Sequence, residues 1–411
     1  MRIIKCIGFF LALISILSCG GGKTAHIWTD RPEFAIYGEH FNSVQTKYKV
    51  SIKYYESPGQ ELARTKNTAD IVIGRWLKDM STRTYFKSLD NLFGANKLSR
   101  SLFYQRLLAG GRIDRNQYLL PISYNLPALI FAKDKNMGLK SSSTIGFDEI
   151  KALSKEYNTI ARGAYTKMGF SPLWSDDFLL VTAILSGASF KEASPLSWDA
   201  PALERSMDYV YSWTNEINTS GQAEENFTFK YFIEPAEKLI FSDRILFSYM
   251  NSRDFFLLNE ESKSALDYRW IMENDRVPIN EDIVFLGMPK RAKATKAARA
   301  FIQWFFTAEN QALILEYSRD NRISETVFGI CGGFSSLIPV TEQVFPRFYP
   351  ELIGRMPPSD YLMPPNVLPS NWADIKERVI LPYLHDRSRT SDTAQVYPLE
   401  RRLADWVRLN R

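Results

Sequence analysis

Residues 26–76 alternate strand, helix, strand, helix, strand, and this order restricts the fold more than any other feature of the chain. "HIW" (26–28) reads as a short strand. Asp30-Arg31-Pro32 supplies a helix start, with Pro32 near the first helical position. Phe34, Tyr37, Phe41 and Val44 recur at spacings of three and four, which gives that helix one apolar face. "YKVSIKYY" sets Tyr48, Val50, Ile52 and Tyr54 on alternate positions of a second strand. Pro58 opens the helical stretch "PGQELARTK", and Ile71, Val72 and Ile73 form a continuous apolar strand stopped by Gly74. Such a succession builds a parallel sheet joined by right-handed crossovers. Open sheets of this kind bind ligands beyond the carboxyl ends of their strands. Those ends carry Trp28, Asp30 and Arg31 after the first strand, Glu56 after the second, and Arg75 and Trp76 after the third.

Upstream stands "SILSCGGGKT" (15–24). Arg2 and Lys5 precede an apolar run from Ile7 to Leu17, and Ser18 supplies a small residue before Cys19. This is the layout of a secretory leader, too short for a comfortable bilayer span. Ile16-Leu17-Ser18-Cys19 resembles the bacterial lipobox, which implies cleavage before Cys19 and acylation of that residue. The three glycines that follow suit a flexible tether. A phosphate-binding loop is the rival, because Gly22-Lys23-Thr24 matches the end of G-x-x-x-x-G-K-[ST]. Leu17 stands where its first glycine belongs, and no strand precedes it.

Removal of residues 1–18 leaves 393 residues, enough for two domains with full cores. The net charge is +5, and the leader takes Arg2 and Lys5 with it. So small a surplus, without an arginine-rich run, gives no argument for nucleic acid, and no nucleic-acid partner is expected. Of the three cysteines, Cys6 leaves with the leader and Cys19 is the lipid site, so Cys331 has no disulfide partner. His26, His40 and His385 are far apart and sit in no ligand motif, so neither metal nor cofactor is expected.

Further along, "YLLPISYNLPALIFAKD" (118–134) reads as two extended segments separated by a crossing between domains, since Pro121 and Pro127 interrupt pairing. "RILFSYM" (244–250) and "DIVFLGMP" (282–289) read as strands. In residues 293–317, Ala297, Phe301, Trp304, Phe305, Ala308, Ala312 and Leu315 fall on one face of a single long amphipathic helix. The tail beyond 339 is proline-rich and closes with two helix-like segments.

Taken in order behind a lipobox, "IWTDRPEFAIYGEHFN", "ADIVIGRWL", "LPISYNLPALIFAKD", "GFSPLWSDDFLL", "ILFSYMNSRDF", "VFLGMPKRAKATKAARAFIQWFFTAENQ", "CGGFSSL" and "LPSNW" resemble the bacterial extracellular solute-binding proteins, the mostly sugar-binding receptors of ABC importers. The resemblance implies an α/β periplasmic-binding-protein type II fold, with two lobes, a hinge and a central cleft. It places a tether at 19–25, an N-terminal lobe at 26–125 rejoined by 285–325, and a C-terminal lobe at 126–284 extended by 326–411. The hinge crossings fall near Tyr124-Asn125 and between Ile283 and Pro289.

A sugar ring offers an apolar face to aromatic side chains and a rim of hydroxyls that both donate and accept. Trp and Tyr beside polar groups at strand ends and loops are therefore the candidate ligand residues: Asp30, Arg31, Trp76, Tyr124, Asn125, Trp174, Asp176, Tyr249, Asn251 and Trp372. Gly333 and Phe334 join them from "CGGFSSL", where glycine forms a turn or lets backbone approach a ligand. Trp198, Trp213, Trp270, Trp304 and Trp406 are assigned to packing. Asp176 and Asp177 raise the question of a glycoside hydrolase. Neighbours on a helix diverge by about 100°, and no G-x-S-x-G elbow is present, so no enzyme is expected.

The expected function is capture of a sugar or oligosaccharide by lobe closure and its delivery to an ABC permease. The chain is expected to act as an exported monomer held at the membrane by acyl chains. A receptor feeding a chemoreceptor or sensor kinase, or an adhesin on the same fold, is the alternative. Oligopeptides and polyamines are the alternative ligands.

Overall fold

A computed structural model describes residues 23–410, Asn136 and Phe232 excepted; Cys19 and the leader lie outside the described residues. The opening run folds as its periodicity dictates: β1 (Thr24–Thr29), α1 (Phe34–Val44), β2 (Lys49–Tyr54), α2 (Pro58–Arg64) and β3 (Ile71–Gly74). β1 pairs in parallel with both β2 and β3. Phe34, Tyr37 and Phe41 of α1 are buried, whereas Val44, expected on the same face, is 55% exposed at the helix end.

α3 (Gln105–Gly110) leads into β4 (Leu119–Tyr124), and β5 (Pro127–Ala132) follows directly. The two strands belong to different sheets, so the chain passes from the first sheet to the second at 125–126. The remaining elements that frame the site are β6 (Thr144–Ile145), α4 (Asp176–Leu185), α5 (Ala200–Ile217), β7 (Ser248–Asn251), β8 (Leu266–Ile271), β9 (Val277–Pro278) and β10 (Val284–Gly287). After them come α6 (Thr295–Phe305), α7 (Ala308–Asp320), β11 (Phe334–Ser335), β12 (Leu362–Met363) and α8 (Leu399–Leu409). The first sheet runs β11-β4-β10-β3-β1-β2 and the second β7-β5-β8-β6. Pro121 is tolerated inside β4 because the register against β10 slips there: Val284 faces Ser123 while Phe285 faces Pro121.

The chain re-enters the first sheet at Val284, within the stretch from Ile283 to Pro289 named for the second crossing. Two expectations are corrected. The long helix is two helices, because Thr307 is extended and the carbonyls of the first are taken by side chains. Asn310 Nδ2 donates to the Trp304 carbonyl at 2.7 Å, and Gln311 Nε2 to that of Phe305 at 3.1 Å. Residues beyond 325 do not all join the second lobe, since β11 pairs antiparallel with β4 at the edge of the first sheet.

α6 packs on α1, with Phe301 5.3 Å from Phe41 and Phe305 5.5 Å from Phe34 between ring centroids. The tail makes a third crossing, at which β12 pairs in parallel with β9. It then forms a helical run from Trp372 to Arg387 with a wider π-type turn over Lys376–Ile380. Pro382, which has no N–H to give, lies just beyond that turn. This run and α8 bury Trp372, Ile375, Val379, Leu384 and Leu403 against Leu180 of α4 and Leu203 of α5. The cleft therefore lies between the first sheet's carboxyl ends on one side and α4, β7 and the tail helix on the other. Among the described residues no helix is long and apolar enough to cross a membrane.

Candidate functional site

The hinge is tied by one side chain. Asn125, 4% exposed, donates from Nδ2 to the Gly332 carbonyl at 2.9 Å and accepts the Ser252 hydroxyl on Oδ1 at 2.8 Å. Its own carbonyl accepts the Asn280 N–H at 3.0 Å, which joins the first crossing to the second. Arg253 donates from Nε to the same Gly332 carbonyl at 3.4 Å and pairs with Asp282. A buried amide that uses both of its ends is a bracket between segments.

Beside this bracket opens a chamber of about 230 Å³ whose walls come from both lobes. The first lobe contributes Arg75 and Trp76, which leave the end of β3. Trp76 adopts a left-handed backbone, φ 53°, which costs a residue with a Cβ about 1 kcal/mol or more. Its ring lies under the Arg75 guanidinium at 4.6 Å and packs against the second lobe's helical cluster. Three residues on, the Asp79 carboxylate gathers the Thr82 N–H at 2.9 Å and the Ser81 hydroxyl at 2.7 Å, which stiffens the loop. The Met80 N–H donates across the cleft to the Glu192 carboxylate at 2.9 and 3.0 Å. The lobes are thus in contact along this loop.

The opposite wall presents Asp177, Leu180, Val181 and Ile184 of α4, Tyr249 of β7, and Trp372 and Lys376 of the tail. Glu281 and Asp282 come from the second crossing. Lys376 Nζ lies 2.7 Å from Glu281 Oε1 and 3.2 Å from Asp177 Oδ1. Burial alone would depress this ammonium, but Glu281 and Asp177 together hold its pKa above the usual lysine range. Burial pushes the Tyr249 hydroxyl well above its ordinary value, so it serves as a neutral donor or acceptor. Asp30 sits behind Arg75, with Arg31 Nε 3.3 Å and Arg75 Nε 3.5 Å from its two carboxylate oxygens, contacts outside hydrogen-bond alignment. Trp76 Nε1 and Asp282 Oδ1 are buried and have no hydrogen-bond partner among the described residues.

The chamber brings together Trp76, Tyr249, Asn251 and Trp372 of the residues expected from sequence, with Asp30 and Arg31 one layer behind. Asn251 also caps the following helix, accepting the Asp254 N–H at 3.1 Å. The others lie elsewhere. Tyr124 and Phe334, 1% and 0% exposed, belong to an aromatic core that includes Tyr104 and Phe328. Trp174 stacks on Phe227 with centroids 5.8 Å apart. Asp176 is exposed and is not part of the chamber wall, which takes its neighbour Asp177. A Cβ on Gly333 would meet the Tyr124 carbonyl at 2.6 Å, so the glycine there permits close backbone approach within the fold. Asn125 is the hinge bracket. Charged residues of the chamber that sequence reasoning left out of the site are Asp177, Arg253, Glu281, Asp282, Lys376 and Glu377. Position at the start of a predicted strand could have flagged Glu281 and Asp282; Lys376 carries no local signal.

A sequence profile described as bacterial extracellular solute-binding protein matches residues 37–320, well over half of the chain. No curated protein matches. Among solved structures, a cyclo/maltodextrin-binding protein complexed with maltotetraose is 15% identical, covering 94% of this chain and 96% of its own, with a TM-score of 0.61. A cyclic alpha-maltosyl-1,6-maltose binding protein from Arthrobacter globiformis is 14% identical, with 93% and 96% covered and a TM-score of 0.60. An ABC substrate-binding protein from Listeria monocytogenes, in complex with cycloalternan, is 12% identical, with 93% and 97% covered and a TM-score of 0.59. At these identities the likeness is one of fold, and the fold is the two-lobed type II arrangement of the expectation.

Proposed function

The chain belongs to the bacterial extracellular solute-binding proteins, and from that premise we propose that it captures a neutral sugar or oligosaccharide between its lobes and hands it to an ABC permease. One observation carries the reading. Each cation of the chamber already faces a carboxylate, Lys376 those of Glu281 and Asp177, Arg253 that of Asp282 and Arg75 that of Asp30 in the layer behind, while Glu377 on the same wall makes no ion pair among the described residues. Beside them Trp76 Nε1 is left as a donor and Asp282 Oδ1 as an acceptor. A guest that neutralises nothing but both donates and accepts, and that has an apolar face for an indole, is a polyol ring. The solved structures named above, whose guests are maltotetraose and cycloalternan, support the same class of ligand.

Closure follows from the two-lobed walls: a guest touching both favours the state in which both are in reach. The proposed first lobe is 26–125 with the returning strand and helices after 284 and the β11 segment. The second is 126–284 with the tail from β12 onward. Export and attachment through acylated Cys19 complete the proposal, supported by the leader and lipobox in the sequence. Binding is the whole activity proposed, since Asp177 and Glu281 are both engaged by Lys376 and neither is a free base.

A thermal-shift screen of neutral sugars against the mature protein tests the ligand class. A bound sugar at a hundredfold excess over Kd stabilises by about 2.7 kcal/mol. The mass of the mature N-terminus tests the anchor; an unmodified Cys19 removes it.

A further inference from the structure

A groove of about 600 Å³ runs over the edge of the first sheet, and it shares no lining residue with the central chamber. β1 and β2 pair in register, with His26 beside Ser51 and Trp28 beside Lys53. These four line the groove, while Ala25 and Ile27, on the other face of β1, go to the core. Lys66 enters from the loop ahead of β3, and Lys293 from the segment ahead of α6. Asp70 ties these parts together. Its Oδ1 accepts the Lys293 and Ala294 N–H groups, each at 2.7 Å, and its Oδ2 accepts the His26 N–H at 2.9 Å. It is the one carboxylate of the groove among the described residues, and main-chain donors occupy both of its oxygens.

Lys53, Lys66 and Lys293 are exposed and make no ion pair and no side-chain hydrogen bond among the described residues. Lys53 Nζ lies 4.7 Å from the centre of the Tyr55 ring, which lines the same groove. The rim beside Lys293 is basic too. Residues 290–299 hold Lys290, Arg291, Lys293, Lys296 and Arg299, all exposed, and no carboxylate. Partial burial and the Arg299 charge depress the Lys87 ammonium, and Asp70 opposes them only in part. The central chamber is built the other way, with a carboxylate before each cation. Cations gathered without counter-charges repel one another, so this patch works against the fold unless an anionic surface outside the chain meets it.

Position names that surface. Thr24 lines the groove and Cys19 stands five residues ahead of it, so the two Cα atoms lie at most about 18 Å apart in any conformation. Resting on the acylated-Cys19 reading above, we infer that the groove and its basic rim are a docking face for anionic phospholipid headgroups. The anchor holds this face within reach of the bilayer, and the lysines select it over the other faces of the lobe. Docking here leaves the walls of the sugar chamber untouched.

The test is flotation of the chain from residue 19 onward with Cys19→Ser, which carries no acyl chain, on vesicles of phosphatidylcholine alone or with about one third phosphatidylglycerol. Each lysine near an anionic surface strengthens binding about fivefold, so the three should favour the anionic vesicles on the order of a hundredfold at about 50 mM salt, and most of that should vanish at about 500 mM. The triple change Lys53→Gln, Lys66→Gln, Lys293→Gln should bring binding to within about fivefold of the neutral vesicles. Lys155→Gln, Lys230→Gln, Lys238→Gln removes the same charge from exposed positions of the second lobe and should stay within about threefold of the parent. Equal binding of the parent to both vesicles, or an equal loss in the two triple variants, overturns the docking face and leaves the anchor and the sugar reading standing. A melting temperature raised by inorganic phosphate, without binding to the anionic vesicles, overturns it in favour of a soluble anion. An unmodified Cys19 in the mature protein overturns the anchor and the docking argument with it. If the groove variant does not fold, the parent's lipid and salt dependence decides alone.

Discussion

Removal of the Trp76 indole separates what the residue does for binding from what it does for the backbone. Against a sugar, the indole covers on the order of 80 Å² of apolar surface, about 2 kcal/mol at ~25 cal/mol/Å². Its N–H, buried and unpartnered in the chain, adds about 1 kcal/mol net once it meets a hydroxyl. Trp76→Ala therefore costs about 3 kcal/mol of affinity, on the order of a hundredfold in Kd. Trp76→Gly costs the same affinity but not the same stability. At φ 53° alanine keeps the steric penalty of a Cβ, and glycine does not. After allowance for the greater unfolded-state freedom of glycine, Trp76→Gly should be the more stable of the two by roughly 0.5–1 kcal/mol. Titration calorimetry reads the affinities and scanning calorimetry the melting temperatures. Variants that bind within twofold of the parent would refute the placement of the sugar, and a Gly variant that melts below the Ala variant would refute the strain argument.

Three other substitutions probe the frame. Lys376→Met strands Glu281, 18% exposed, and the half-exposed Asp177. With the screened share discounted, about 2–4 kcal/mol is lost in chemical denaturation, and adding Glu281→Gln should recover part of it; an unchanged midpoint contradicts the pairing. Asn125→Ala removes the hinge bracket, takes one of two donors from the part-buried Gly332 carbonyl and leaves the buried Ser252 hydroxyl without its acceptor, a loss of about 1–3 kcal/mol, and a loss under 0.5 kcal/mol contradicts it. Glu224, 1% exposed beneath Asn218 and Thr214, has its pKa pushed up by burial to about 7. Its folded form keeps a proton that the unfolded form has lost, so this group's stabilisation is full below about pH 4.5 and falls as the pH rises to about 7, by on the order of 3 kcal/mol. Glu224→Gln should flatten that part of the melting profile, and a parent-like slope in the variant sinks the assignment.

The first lobe was legible because its signals are local. Phe34, Tyr37 and Phe41 announce a helix face, Ile71 to Ile73 a buried strand, and two apolar strands around Asn125 announce a crossing. The long helix was misread because apolar spacing runs on through Phe306 and Thr307, while the break depends on how Asn310 and Gln311 cap the carbonyls behind them. Site residues were legible where strand ends dictate them, as at Trp76. Aromatic type was a poor guide, since an indole or phenol fills a core as readily as a cleft: Trp174 went to Phe227 and Tyr124 to Phe334. The trio of Lys376, Glu281 and Asp177 joins parts of the chain up to 199 residues apart, and only the tertiary fold assembles it.

The central claim is that a cleft whose cations are already faced by carboxylates takes an uncharged guest. Titration of the mature protein with a neutral disaccharide and with its uronic-acid counterpart, at about 50 mM and 500 mM salt, tests it most directly, because the screening length falls from about 14 Å to about 4 Å over that range. The account predicts that the neutral sugar binds with an affinity that differs less than twofold between the two salts and that the acid binds more weakly. Salt-sensitive binding of the acid, with no heat from the neutral sugar, would contradict it.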